Sequence, residues 1–276
     1  MSGTASPACD DACMRRDVTA SLSLEAAGPA RLVLAVAVAD DRAAEERLAV
    51  TQDGEPLDVA ELADQHGTRL HSVDVVAGRI EVRYAARVDD RAEPPVVDEI
   101  DRVRYLRPSR YCESDTLAPV AAAEFEGLEG ADLLAAVSSW VGTHLAYDGT
   151  STDPTGGAAA TLLSRRGVCR DFAHLVVALL RARDVPARVV AVYAPGLDPM
   201  DFHAVAEALV DGRWLAVDAT TLAPRSTLVR IATGRDAADT AFLTTIGEAV
   251  ELVDMEVTAT ADALPEDDVR APVAIR

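Results

Sequence analysis

The stretch GVCRDFAHLVVALLRARDVPARVVAVY, residues 167–193, decides how this chain is read. Its apolar side chains fall at Phe172, Leu175, Val176, Leu179 and Leu180, the spacing of a helix with one buried face. Cys169 opens that helix, where unpaired backbone N–H groups and the positive end of the dipole favour a thiolate and can donate to a developing oxyanion. Asp171, in the first turn, suits the same dipole and reads as structural. Pro186 ends the helix by pushing its predecessor out of the helical region, and Arg188 to Tyr193 is β-branched enough to form a strand.

A thiol attacks carbonyl carbon as thiolate, so it needs a base within hydrogen-bond reach and a third group to orient that base. Residues 201–220, DFHAVAEALVDGRWLAVDAT, contain both. His203 to Leu209 alternates like a strand, Asp211-Gly212 is a two-residue hairpin signal, and Arg213 to Asp218 returns as the partner. The hairpin places His203 near the start of one strand and Asp218 near the end of the next, which are neighbours in an antiparallel pair. A one-residue slip would turn His203 away from Asp218.

These two stretches resemble the core of the transglutaminase-like superfamily, whose bacterial members are often described as candidate cysteine proteases. The likeness extends upstream to Tyr147-Asp148 and Ser151 to Ala160, similar to the family's lead-in to its catalytic helix. It takes in YLRPSRY, residues 105–111, similar to the stretch that introduces the core where a β-domain precedes it. The resemblance implies an α+β fold: a papain-like transglutaminase core, helices packed on an antiparallel sheet, preceded by a small all-β domain. It also implies Cys169 as nucleophile, His203 as general base and acid, and Asp218 as the orienting carboxylate. Three separated patches in the right order make the likeness specific. One departure stands out: where many relatives carry tryptophan after the His-Ala pair, this chain has Val205, which bears on the wall of the substrate cleft.

Other candidates read as bland. Cys112 fits a buried apolar filler. His174 falls on a different part of the helix surface from Cys169 and is expected to pack in the core. His144, His66 and His71 carry no motif. Cys9 and Cys13 lie in a leader with no matching ligand pair, so no metal and no cofactor is expected. No twelve-residue carboxylate loop suggests calcium.

The formal charge of −20 repels nucleic acid, and no basic patch offsets it. Every basic residue is arginine, which reads first as the mark of a GC-rich genome; a glutamine-to-lysine ligase of this sequence could also not use itself as amine donor. No run of eighteen apolar residues suggests a membrane span, and no charged-then-apolar leader is present. A cytoplasmic location and a reducing compartment follow by default.

The expected organisation is a disordered leader at 1–17, an N-terminal β-domain at 18–104, the core at 105–260 and a tail at 261–276. Strands are expected at Thr19 to Glu25, Arg31 to Val38, Arg47 to Gln52 and Arg79 to Arg87, a linker at Asp89 to Pro95, and a further strand at Val96 to Val103. Leu133 to Leu145 and Ala158 to Leu163 have helical spacing. Thr240 to Ile246 and Val250 to Thr258 read as strands closing the core, after which the acidic tail is expected to fray. The chemistry implied is thiol-dependent acyl transfer on a peptide or protein amide, with hydrolysis first, amine transfer second and a non-catalytic binding module third. Arylamine acetyl transfer also runs Cys, His, Asp, but the residues around Cys169 look less like that family. Trp214 and the loop Ala194 to Phe202 are expected to shape access to the thiol.

Overall fold

The computed structural model describes residues 14–40, 43–89, 96–151 and 153–275. Cys9, Cys13, most of the expected leader and most of the linker lie outside them. The N-terminal strands are β1 (Arg16–Ala26), β2 (Ala30–Leu34), β3 (Glu45–Gln52), β4 (Glu55–Pro56), β5 (Ala60–Ala63), β6 (Arg69–Val75) and β7 (Gly78–Val88). The middle of the chain forms α1 (Glu99–Arg104), α2 (Ser114–Glu124), α3 (Gly130–His144), β8 (Ala146–Tyr147), α4 (Ala158–Ser164), β9 (Arg166–Gly167) and α5 (Cys169–Arg181). Last come β10 (Ala187–Tyr193), β11 (Phe202–Val210), β12 (Arg213–Val217), β13 (Val229–Gly234), α6 (Ala237–Thr240), β14 (Leu243–Gly247) and β15 (Val250–Ala261). The fold is α+β.

Two antiparallel sheets form the N-terminal region, in the orders β15-β1-β7-β3-β4 and β14-β2-β6-β5. Strict alternation in β1 and β7 buries Val18, Ala20, Leu22, Leu24, Ile80, Val82 and Tyr84 against Leu32, Leu34 and Val73. The third sheet runs β12-β11-β10-β13, and α5 packs on it through Leu175, Val176 and Leu179 against Val189, Ala206 and Ala208.

Three expectations about strands and the tail need correction. Val96 to Val103 is not a strand: α1 begins at Glu99, where the Asp101 carboxylate accepts the Asp98 N–H at 3.3 Å. Acidic residues in its first turn and Arg102 and Arg104 in its last complement the dipole. The strands at 243–247 and 250–261 do not close the core sheet, since β14 pairs with β2 and β15 with β1. The tail does not fray: Arg225 binds the Asp267 carboxylate through Nε and Nη2, both at 2.9 Å, and Ile275 is buried among Val190, Val192 and Val205.

Beneath the core sheet's other face lies a buried ionic cluster. Glu207, fully buried, accepts from Arg188 Nε at 2.8 Å and from Arg230 Nη2 at 2.6 Å. Arg188 stacks over Trp214 at 3.8 Å and donates to His66 Nδ1 at 3.3 Å, which ties the core to the N-terminal region. Trp214 is 1% exposed, edge-on to Tyr105 and paired with Leu209. It lies at the end of the hairpin away from His203, so it does not line access to the thiol.

Candidate active site

Asp211 and Gly212 both have positive φ, 51° and 72°, as a two-residue hairpin turn requires, and the turn fixes the register of β11 on β12. Ala206 lies opposite Val217, so His203 and Asp218 fall on one sheet face by alternation, a diagonal step apart. The His203 ring donates from Nε2 to Asp218 Oδ2 at 2.9 Å. Among the described residues Nδ1 is buried with no hydrogen-bond partner. The Cys169 thiol is close enough to this ring to stabilise its charged form. Thus the structure brings the three residues together.

Burial disfavours charge on His203, but the Asp218 carboxylate outweighs it and holds the ring's pKa above the ordinary value. Burial would likewise raise Asp218, yet the His203 charge and hydrogen bonds hold it below the usual carboxylate range. Asp218 Oδ1 takes two of those bonds from Thr220, 2.9 Å from the backbone N–H and 2.7 Å from the hydroxyl. Both carboxylate oxygens therefore have partners, and the carboxylate is fixed from two sides.

Cys169 is the first residue of α5. The Asp171 carboxylate accepts the Val168 N–H at 2.9 Å, which makes it a cap, as its position in the first turn suggested. His174 is fully buried, stacks on Tyr111 at 5.3 Å and accepts the Ala237 N–H at 3.1 Å; burial pushes its pKa down to about 3. It is a neutral core histidine. Cys112 is also buried, with its thiol pKa raised by burial.

Two further side chains reach the site. The short parallel pair β8–β9 sets Tyr147 opposite Gly167, with the Asp148 N–H donating to Gly167 O at 2.9 Å. The Tyr147 hydroxyl there lies beside Cys169; burial and the thiolate's charge push the phenol up to about 12, so it stays protonated at neutral pH. Tyr147 was visible in the sequence as part of a lead-in but carried no role, because its contact with Cys169 is tertiary. Thr220 gave one local signal, an Asp two residues before a hydroxyl, the pattern of a side-chain turn.

On the opposite side α3 comes close. A methyl group at Gly142 would stand 2.6 Å from Ala219 O, and the Ser138 hydroxyl donates to Asp218 O at 3.3 Å. A cavity of about 660 Å³ opens elsewhere, lined by Tyr105, Arg104, Arg107 and Arg235, and contains none of the three residues. Among the described residues no three His, Cys, Asp or Glu side chains converge as metal ligands. No helix among them is long and apolar enough to cross a membrane.

Comparison with known proteins fits this geometry. Residues 122–219, which contain Cys169, His203 and Asp218, match the transglutaminase-like superfamily. An uncharacterized protein of Mycobacterium leprae is 28% identical over 171 residues, 59% of this chain and 61% of that protein. Another, of Mycobacterium tuberculosis, is 36% identical over 124 residues, 39% of either chain. The chain thus spans less than two thirds of either curated relative. Among solved structures, a candidate cysteine protease from Cytophaga hutchinsonii superposes with a TM-score of 0.83 at 32% identity, covering 94% of this chain and 93% of that one. Likeness at that identity along almost the whole of both chains, with the family match across the site, makes this chain a member of the transglutaminase-like superfamily.

Proposed function

We propose that the chain carries out acyl transfer on an amide of a peptide or protein substrate through a thioester on Cys169, with hydrolysis as the usual outcome. The observation that carries this reading is the His203–Asp218 bond of 2.9 Å, which leaves the ring's second nitrogen for the thiol at the head of α5. Cys169 Sγ passes its proton to His203 Nδ1 and attacks the carbonyl carbon, and the oxyanion is held between the Cys169 N–H and the Tyr147 hydroxyl. The C–N bond then breaks as His203 Nδ1 gives its proton to the leaving amine. Water, deprotonated by the same nitrogen, opens the thioester and restores the thiol. The candidate cysteine protease from Cytophaga supports peptide amides as the substrate class.

Amine transfer is the second reading. Asp201 lies near enough to His203 for their charges to interact, and its carboxylate would draw an amine-bearing side chain toward the thioester. A cytoplasmic setting belongs to the proposal, since the chemistry needs the Cys169 thiol reduced.

The test is the pH dependence of iodoacetamide alkylation at Cys169 in the parent chain and in His203→Ala. The parent should be alkylated readily at pH 6, and the variant should lose at least tenfold in rate there. A thiol inert in both proteins sinks the reading and leaves a binding module.

A further inference from the structure

Residues 262–275 contain no strand or helix, and most are exposed. They are held at separate anchors. Leu264 lies against Gly196, where an added methyl group would meet it at 3.3 Å. Asp267 is gripped by Arg225, itself 4% exposed, through Nε, Nη2 and the backbone N–H, each at 2.9 Å. The same guanidinium donates to Asp268 O at 2.6 Å and Ala271 O at 3.1 Å, and is tied to the sheet by Ala216 O at 3.1 Å. The Ala216 N–H, on the free edge of β12, donates to Val273 O at 2.7 Å. Ile275, 1% exposed, fills a hole among Val192, Leu197, Val205 and Ala223.

This is how a sheet edge takes an extended peptide: a main-chain bond to the edge strand, one charged grip and one apolar pocket. The pocket adjoins the site. Val205 is two residues from His203 on the same strand face, and Ala216 is two residues from Asp218, a step of about 7 Å along a strand. We propose that the groove formed by the β12 edge, Arg225 and the Ala194–Leu197 turn binds an extended segment of a protein substrate, and that residues 262–275 fill it as a self-bound strap. The ligand class is an extended peptide with a carboxylate for Arg225 and an aliphatic side chain eight residues later. The segment belongs to no helix or strand of the fold, so a peptide that offers the same anchors can take its place without unfolding a regular element. The proposal rests on the reading of Cys169 as a nucleophile for peptide amides, but binding to the groove does not.

The full chain carrying Cys169→Ala is therefore compared with the same chain also carrying Asp267→Ala and Ile275→Asp, which cut the strap's anchors and leave every groove residue intact. A fluorescein-labelled synthetic peptide of residues 262–275 should bind the strap variant saturably and at least tenfold more tightly than the uncut chain. Arg225→Gln in the strap variant should abolish that gain. Hydrogen exchange should show residues 262–275 released. Unchanged exchange there, or release with no peptide binding, overturns the proposal. With Cys169 present, an iodoacetylated form of the peptide, reactive at either end, should alkylate the strap variant at least tenfold faster than a scrambled peptide. Equal rates, where iodoacetamide itself reacts, would remove the groove from the neighbourhood of the thiol. Inertness to iodoacetamide would instead count against the nucleophile and leave the binding result standing.

Discussion

Tyr147 holds its hydroxyl beside Cys169, though about half of the residue is exposed. If that hydroxyl serves the oxyanion, Tyr147→Phe should lower amide turnover by about 10²–10³. Alkylation by iodoacetamide, which develops no oxyanion, should change by less than about threefold in a parallel assay; equal losses in both would assign the residue to thiol positioning instead. Cys169, His203 and Asp218 were legible because each stands in a patch with its own local pattern, a helix start or a hairpin strand. Tyr147 was not, because the parallel pairing of Ala146 and Tyr147 with Arg166 and Gly167 joins segments twenty residues apart and leaves no periodicity.

The strands and helices that hold the site were readable where burial imposes a period. α5 and the β11–β12 hairpin follow the apolar spacing, and the Asp211-Gly212 turn sets their register. α1 was misread because six residues are too few to display a helical stripe, and its capping by Asp101 decides instead. β6 was passed over; it alternates but begins beside a 3-10 turn in which His66 takes φ 57°. Close approach between elements is equally invisible along the chain. Gly142 permits α3 to come against Ala219 O, so Gly142→Ala should cost about 1–3 kcal/mol, measured by urea unfolding. Because the push falls on the residue after Asp218, the alkylation rate at Cys169 should fall as well. A variant as stable and as reactive as the parent would show that the two elements can part without cost.

Across the molecule, the cluster of Arg188, Glu207 and Arg230 joins the core sheet to His66 and the N-terminal region, and removing its one carboxylate strands two buried cations. Glu207→Ala should destabilise by about 3–5 kcal/mol. Burial would raise the Glu207 pKa, but the two arginines outweigh it and hold it down to about 2, below the ordinary 4.5. Its contribution is thus present above pH 4.5 and lost as pH falls toward 2. His174, pushed down to about 3 from 6.5, adds a loss that begins as pH drops below 6.5. Urea midpoints from pH 7 to pH 3 should fall continuously, and Glu207→Gln should flatten the part below 4.5; a parent midpoint independent of pH would contradict both assignments. The pairing of β1 with β15 bears on how the chain is made. Val18 finds its partner in Ala259, so the first strand must wait on one side for the last strand among the described residues. Such pairing raises contact order and slows folding. During synthesis the edges of β1 and β2 stay bare until residues 243–261 emerge, and a chain cut before them would present those edges to aggregation.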